Sequence, residues 1–160
     1  MTTYTCAINA CPEKKDSCSV GLITPLLTAQ LAFMTQLHTP TVLLFDQDQR
    51  TQQTVQEVCQ QHNIPCAVMT QFEQLLQCLS CNQPLCIICS DTAMGLDVPS
   101  QLDQIHTINS HIPIIMLGEQ QVELSVAVTA IKAGALDFIE KPAIRLPLQQ
   151  HIDSILSSLH

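Results

Sequence analysis

From Thr41 onward the chain alternates short apolar runs with longer segments in which apolar residues recur every three or four positions. Val42 to Phe45 is a continuous apolar run of the kind a parallel strand covered on both faces requires. A polar helical segment follows from about Arg50 to Gln61, with Val55, Val58 and Cys59 on one face. Cys66 to Met69 predicts a second strand, and Phe72, Leu75, Leu76 and Leu79 mark a helix after it. Leu85 to Cys89 reads as the third strand, Leu102, Ile105, Ile108 and Ile112 trace a polar helix, and Pro113 to Leu117 reads as the fourth. Val122 to Ala133 then predicts a helix, Leu136 to Ile139 a fifth strand and Leu146 to Leu159 a closing helix.

Strands separated by single helices pair in parallel through right-handed crossovers. The pattern therefore predicts an α/β fold: a doubly wound, five-stranded parallel sheet in flavodoxin-like order 2-1-3-4-5 with flanking helices. Residues 41–160 make up that domain, and residues 1–40 stand apart as an N-terminal extension. Within it, residues 1–19 are polar, carry Pro12 and the charged Glu13-Lys14-Lys15-Asp16 patch, and read as a flexible arm. Residues 20 to about 38 read as an amphipathic helix on Leu22, Ile23, Leu26, Leu27, Leu31, Phe33, Met34 and Leu37, with Pro25 suited to its first turn. Its apolar stripe has two readings: it covers part of the sheet domain, or it pairs with the same stripe of a second chain.

Composition narrows the function. The 160 residues, 46% of them hydrophobic, can bury a sizeable core. A net charge of -8 with six Lys plus Arg leaves no basic face for a phosphate backbone, so direct nucleic-acid binding is not expected. No apolar run reaches the roughly 18 residues that span a bilayer. Met1 to Ala10 lack the features of a secretory signal, which predicts a cytoplasmic protein with no membrane partner.

Nine cysteines invite a metal or redox reading. Cys78-x-x-Cys81 and Cys86-x-x-Cys89 have the spacing of a four-ligand site. Cys86 and Cys89, however, sit in a strand-like run whose period of two sends them to opposite faces, so one metal cannot take both, and a buried structural role is expected. Cys6, Cys11 and Cys18 lie in the arm as candidate exposed thiols.

Lys132-Ala133-Gly134-Ala135-Leu136-Asp137-Phe138-Ile139-Glu140-Lys141-Pro142 is the most informative stretch. Gly134 supplies the left-handed stop of a helix, a short strand follows, and Lys141 arrives at the carboxyl edge of the sheet, where doubly wound folds keep their sites. The stretch closely resembles the last strand of receiver domains in bacterial two-component response regulators, whose signature it matches almost throughout. The resemblance extends from Thr41 to about Leu159. It implies an acidic pair after the first strand, a phosphoryl-accepting aspartate ending the third, a hydroxyl residue after the fourth, and Mg²⁺ held between the acidic groups and the acceptor. It further implies a cis peptide at Lys141-Pro142.

Against that pattern, Asp46 and Gln47 occupy the positions of the acidic pair, with Asp48 one position further on as a weak alternative ligand or, as expected, a helix cap. Ser90 stands where the acceptor belongs and Asp91 follows it. Gly118 replaces the hydroxyl residue, while Phe138, at the aromatic switch position, and Lys141 remain. An Asp46–Lys141 ion pair is expected to hold the pocket loops together. The pocket of Asp46, Gln47, Ser90, Gly118 and Lys141 is therefore expected to be degenerate, with no catalytic residue and no Mg²⁺.

The expected function is a phosphorylation-independent receiver: a non-enzymatic regulatory module that binds protein partners of a signalling or transcription-control pathway. With nothing after His160 to carry an output, its signal is expected to leave by contact with another protein, through a face drawn from Val122, Val126, Ala130, Leu136, Ile139, Leu148 and Ile152, and a homodimer is expected. Two alternatives stay open. One is a phosphoaccepting receiver using Asp91, with Mg²⁺ on Asp46, Asp48 and Asp91. The other is a thiol-based redox sensor built on Cys6, Cys11 and Cys18 or on Cys78 and Cys81.

Overall fold

The computed structural model describes residues 40–160. The arm expected over residues 1–19, the helix expected over residues 20–38, and Cys6, Cys11 and Cys18 lie outside the described residues.

Five strands, β1 (Val42–Phe45), β2 (Cys66–Met69), β3 (Cys86–Ser90), β4 (Ile114–Gly118) and β5 (Asp137–Glu140), form one parallel sheet in the order β2-β1-β3-β4-β5. Between them run α1 (Gln49–Gln61), α2 (Phe72–Cys81), the single turn α3 (Asp91–Met94), α4 (Val98–Ile108), α5 (Leu124–Lys132) and the closing α6 (Arg145–Ser158). Every residue of β1, β3 and β4 is buried, as strands with helices on both faces demand.

Strand alternation sorts the core into two layers. Leu43, Phe45, Ile87, Cys89, Ile114 and Met116 face α2, α4 and α5, where Leu75, Leu79, Leu102, Ile105 and Ala130 meet them. Val42, Leu44, Cys86, Ile88, Ile115 and Leu117 face α1 and α6 and pack on Val55, Val58, Cys59, Leu148 and Ile152. Cys86 and Cys89 thus fall in opposite layers, as the period of two predicts. The fifth strand runs from Asp137 to Glu140, one residue later than the apolar pattern suggests, and Leu136 is half exposed.

Local chemistry fixes the elements around the carboxyl edge. Asp48 caps α1, its carboxylate accepting from the Arg50 and Thr51 N–H groups and from the Thr51 hydroxyl at 2.8 Å. At the end of α5, the N–H of Gly134 bonds to the Ile131 carbonyl and that of Ala135 to the Ala130 carbonyl, a Schellman stop. Gly134 has φ +107°, and a Cβ there would also lie 2.4 Å from the His106 ring, so two independent constraints require glycine.

Candidate functional site

The carboxyl ends of β1, β3, β4 and β5 bring the sequence-predicted residues to one edge of the sheet. Asp46, directly after β1, is 1% exposed, and its Oδ1 accepts from the Asp48 N–H at 2.9 Å. Its Oδ2 lies 2.9 Å from Nζ of Lys141, the residue after β5. Lys141 Nζ also donates to Glu119 Oε1 at 3.1 Å, and the Lys141 N–H bonds to the Gly118 carbonyl at 2.8 Å. The Lys141-Pro142 peptide is cis. One lysine therefore ties three loops: its side chain reaches those after β1 and β4, and its backbone extends the β4–β5 pairing. Burial disfavours the Lys141 ammonium, but the bonds to Asp46 and Glu119 outweigh it and raise the pKa above the ordinary lysine value.

Glu119 is a member of this cluster that the sequence pattern alone does not single out. Its signal was its position, the first residue past β4, at the height where Lys141 emerges. Gln47 is exposed. Asp48 is spent as the α1 cap, and its hydrogen bond from Thr51, aided by those from the backbone, holds its carboxyl below the usual value.

Ser90 ends β3 with no exposure. Its Oγ accepts from the Ala93 N–H at 3.3 Å and shares a 2.6 Å hydrogen bond with the Thr92 hydroxyl, so it caps α3. Asp91 has already left the strand. It is the first residue of α3, and its Oδ1 accepts from the Thr92 N–H at 2.7 Å. Partial burial raises the Asp91 pKa; the charges of Glu119 and Asp46 add to this and that of Lys141 opposes it. Strand alternation thus does not decide where Asp91 points, because the residue already belongs to the helical turn.

Gly118 and Phe138 form one unit. A Cβ built on Gly118 would lie 2.3 Å from Phe138 Cζ and 2.4 Å from Cε1, so the ring occupies the volume that any side chain at position 118 would need. Phe138 packs against the layer of the core shared with α2, α4 and α5. An open cleft of about 220 Å³ beside the cluster is lined by Asp48, Arg50, Thr51, Glu119, Lys141 and Pro142, among others.

Of the interaction-face candidates, Ala130, Ile139, Leu148 and Ile152 are buried in the core. Val126 and Leu136 are exposed, and beside them stand Leu124, 78% exposed, Val128 and Ile131, which the pattern did not separate from core positions. Among the described residues, no group of three or more His, Cys, Asp or Glu side chains could hold a metal, and no helix is long and apolar enough to cross a membrane.

Residues 42–153 match the response regulator receiver domain family. The chain is 31% identical over 120 residues to the C4-dicarboxylate transport transcriptional regulatory protein DctD of Pseudomonas aeruginosa, covering 74% of this chain and 25% of that protein. It is 32% identical over 65 residues to the 3',5'-cyclic-nucleotide phosphodiesterase regA of Dictyostelium discoideum, 41% of this chain and 8% of that protein. The chain therefore spans a quarter or less of the length of these curated relatives. Among solved structures, a response regulator from Thermotoga maritima superposes with TM-score 0.66 at 19% identity, covering 74% of this chain and 98% of that one. The receiver domain of sensor histidine kinase PA1611 from Pseudomonas aeruginosa, solved with magnesium in its active-site cleft, gives 0.63 at 17% identity, with 74% and 98% covered. Because the family match runs over more than half of the chain and the strand order agrees with it, the chain belongs to the response regulator receiver domain family.

Proposed function

We propose that this receiver works without phosphotransfer, as a regulatory module that signals by binding another protein. The observation that carries the reading is Ser90. The end of β3 offers a neutral hydroxyl that is fully buried and already engaged with Thr92 and the Ala93 N–H, with no positioned base beside it to make it a nucleophile.

The donors also do not fit a hard divalent cation. Mg²⁺ requires oxygen ligands in a near-octahedral set at about 2.0–2.1 Å. Here Lys141 holds Asp46, the α1 cap holds Asp48, and Gln47 brings a neutral amide in place of a second carboxylate. The exposed apolar residues of α5 and the adjoining Leu136 supply the surface for a protein partner or a second copy. Incubation of the full chain with a small acyl-phosphate donor and Mg²⁺, followed by intact-mass measurement, is expected to leave the mass unchanged.

A second reading rests on Asp91, whose carboxylate feels Asp46, Glu119 and Lys141 together. In that reading Asp91 is the acceptor and α3 its mount. A stable adduct of one phosphoryl mass that Asp91→Asn abolishes would establish it and overturn the first.

A further inference from the structure

Between the turn that joins α3 to α4 and the helix α5 runs an open groove of about 440 Å³, which shares Asp91 and Thr92 with the site described above. One wall is Gly95, Leu96, Val98 and Pro99, and the other is Ser125, Val126 and Thr129. Gly95 has φ +74° and no atom within 4 Å of where a Cβ would stand, so backbone conformation and not crowding requires glycine there. The turn leaves Leu96 fully exposed while Val98, two residues on, is buried in the core. Leu96 and the exposed Val126 thus put apolar surface in water on both sides of the groove, as interaction sites do.

The hydroxyls of the groove are engaged within the chain: Thr92 with Ser90 at 2.6 Å, Ser125 with the Glu123 carboxylate at 3.2 Å, and Thr129 with the Ser125 carbonyl at 2.7 Å. Apolar carbon and carboxylate are what remain to recognise an occupant. Asp91 lines the groove, Asp97 stands exposed between Leu96 and Val98, and Glu123 stands exposed just before the Ser125 wall. Within this part of the chain no base answers them. No Lys or Arg occurs between Arg50 and Lys132, and Lys141 is held by Asp46 and Glu119.

Charge decides between occupants. A second copy would bring the same carboxylates to a self-complementary contact, where like charges oppose each other. A phosphate backbone or an anionic bilayer is repelled by a net charge of -8. Residues 20–38 of the chain itself are rich in apolar side chains but contain no Lys or Arg to meet the rim. We propose that the groove docks an amphipathic helix of a partner protein, its apolar side chains meeting Leu96, Pro99 and Val126 and its Lys or Arg side chains meeting Asp91, Asp97 and Glu123. This names the partner chemistry for the function proposed above and rests on the protein-binding half of that reading.

The test titrates the full chain into a dye-labelled synthetic amphipathic helix of leucine and lysine, read by fluorescence anisotropy, with a leucine–glutamate helix of the same pattern as its counterpart. The lysine helix is expected to bind, more weakly as salt rises, and the glutamate helix is not. Because an acidic chain attracts any cation, uncharged variants carry the assignment. Leu96→Ser and Val126→Ser should each weaken binding about tenfold, whereas Leu146→Ser, which removes another exposed leucine, on α6, should leave it unchanged. Leu96 stands wholly in solvent, so its variant keeps the fold, which matching thermal melts verify. Equal binding of the two helices, binding of neither, or a lysine helix that ignores Leu96→Ser would each overturn the proposal. So would self-association of the full chain that Leu96→Ser abolishes, or a photoreactive group at position 126 that captures residues 20–38, since these give the groove to a second copy or to the chain itself. The intact-mass experiment decides Ser90 separately: a phosphoryl adduct there, with the binding results expected here, would overturn that reading and leave the groove assigned.

Discussion

Asp46 sits in the cluster with 1% exposure, and Lys141 is what makes its charge tolerable there. Lys141→Met removes the ammonium and leaves a buried carboxylate uncompensated, so a loss of about 3–5 kcal/mol is expected in urea or thermal unfolding. Asp46→Asn should cost less, because Lys141 keeps Glu119. The sign with pH follows from the raised lysine pKa. The contribution is whole below the unfolded value of about 10.4 and disappears as pH climbs through the folded one, so the gap between wild type and Lys141→Met should be flat through neutrality and close only in strong base. Asp91 has the opposite character. Its raised pKa means the folded state holds the Asp91 proton more tightly than the unfolded chain does, so ionised Asp91 weakens the fold at neutral pH. Asp91→Asn is expected to raise the melting temperature at pH 7 and to match wild type once pH falls below about 3.9. At Gly118, alanine must displace the Phe138 ring, a cost of about 1–3 kcal/mol. A double-mutant cycle checks this, since in a Phe138→Ala background the Gly118→Ala penalty should vanish.

Elements add constraints that no single side chain carries. Asp48→Ala strips α1 of its cap, and about 1 kcal/mol of stability should go with it. Because the Asp48 pKa is lowered, that contribution exists at neutral pH and fades as acid protonates the carboxylate, which melts between pH 7 and pH 3 would register. The strands were legible in the sequence because β1, β3 and β4 are buried on both faces and so read as unbroken apolar runs. The Schellman stop at Gly134 and the cap at Asp48 were legible because each depends on local backbone chemistry. The end of β3 was not. Whether Asp91 continues the strand or starts a turn depends on Ser90 and Thr92 closing hydrogen bonds with each other and with the Ala93 N–H, and no periodicity encodes that. α5 was half legible. Its sequence is apolar nearly all round, yet only Ala130 is buried, because the helix meets the sheet along a narrow line. Leu124→Glu with Val128→Lys should therefore leave the unfolding free energy within about 0.5 kcal/mol of wild type, as surface changes do. If this helix is the docking surface, the same pair should abolish self-association in sedimentation or partner capture.

For the whole molecule, the parallel doubly wound sheet follows from alternation and its order β2-β1-β3-β4-β5 is one of the common ones for such sheets, whereas the contents of the loop cluster follow from neither. The place of Glu119 beside Lys141 and the ring of Phe138 over Gly118 arise from how the strand ends converge, a long-range outcome that one-dimensional patterning does not contain. The same topology puts β3 at the centre, paired on both sides and buried at every residue, while β2 and β5 are edges. Amide hydrogens in β3 can meet deuterium only when the entire fold opens, whereas those of the edges have cheaper local routes. Deuterium uptake should thus rank β3 slowest. The backbone that delivers Ser90 to the cluster would then be the most slowly exchanging part of the protein, a rigid mount for a position that, in the proposal above, carries no phosphate.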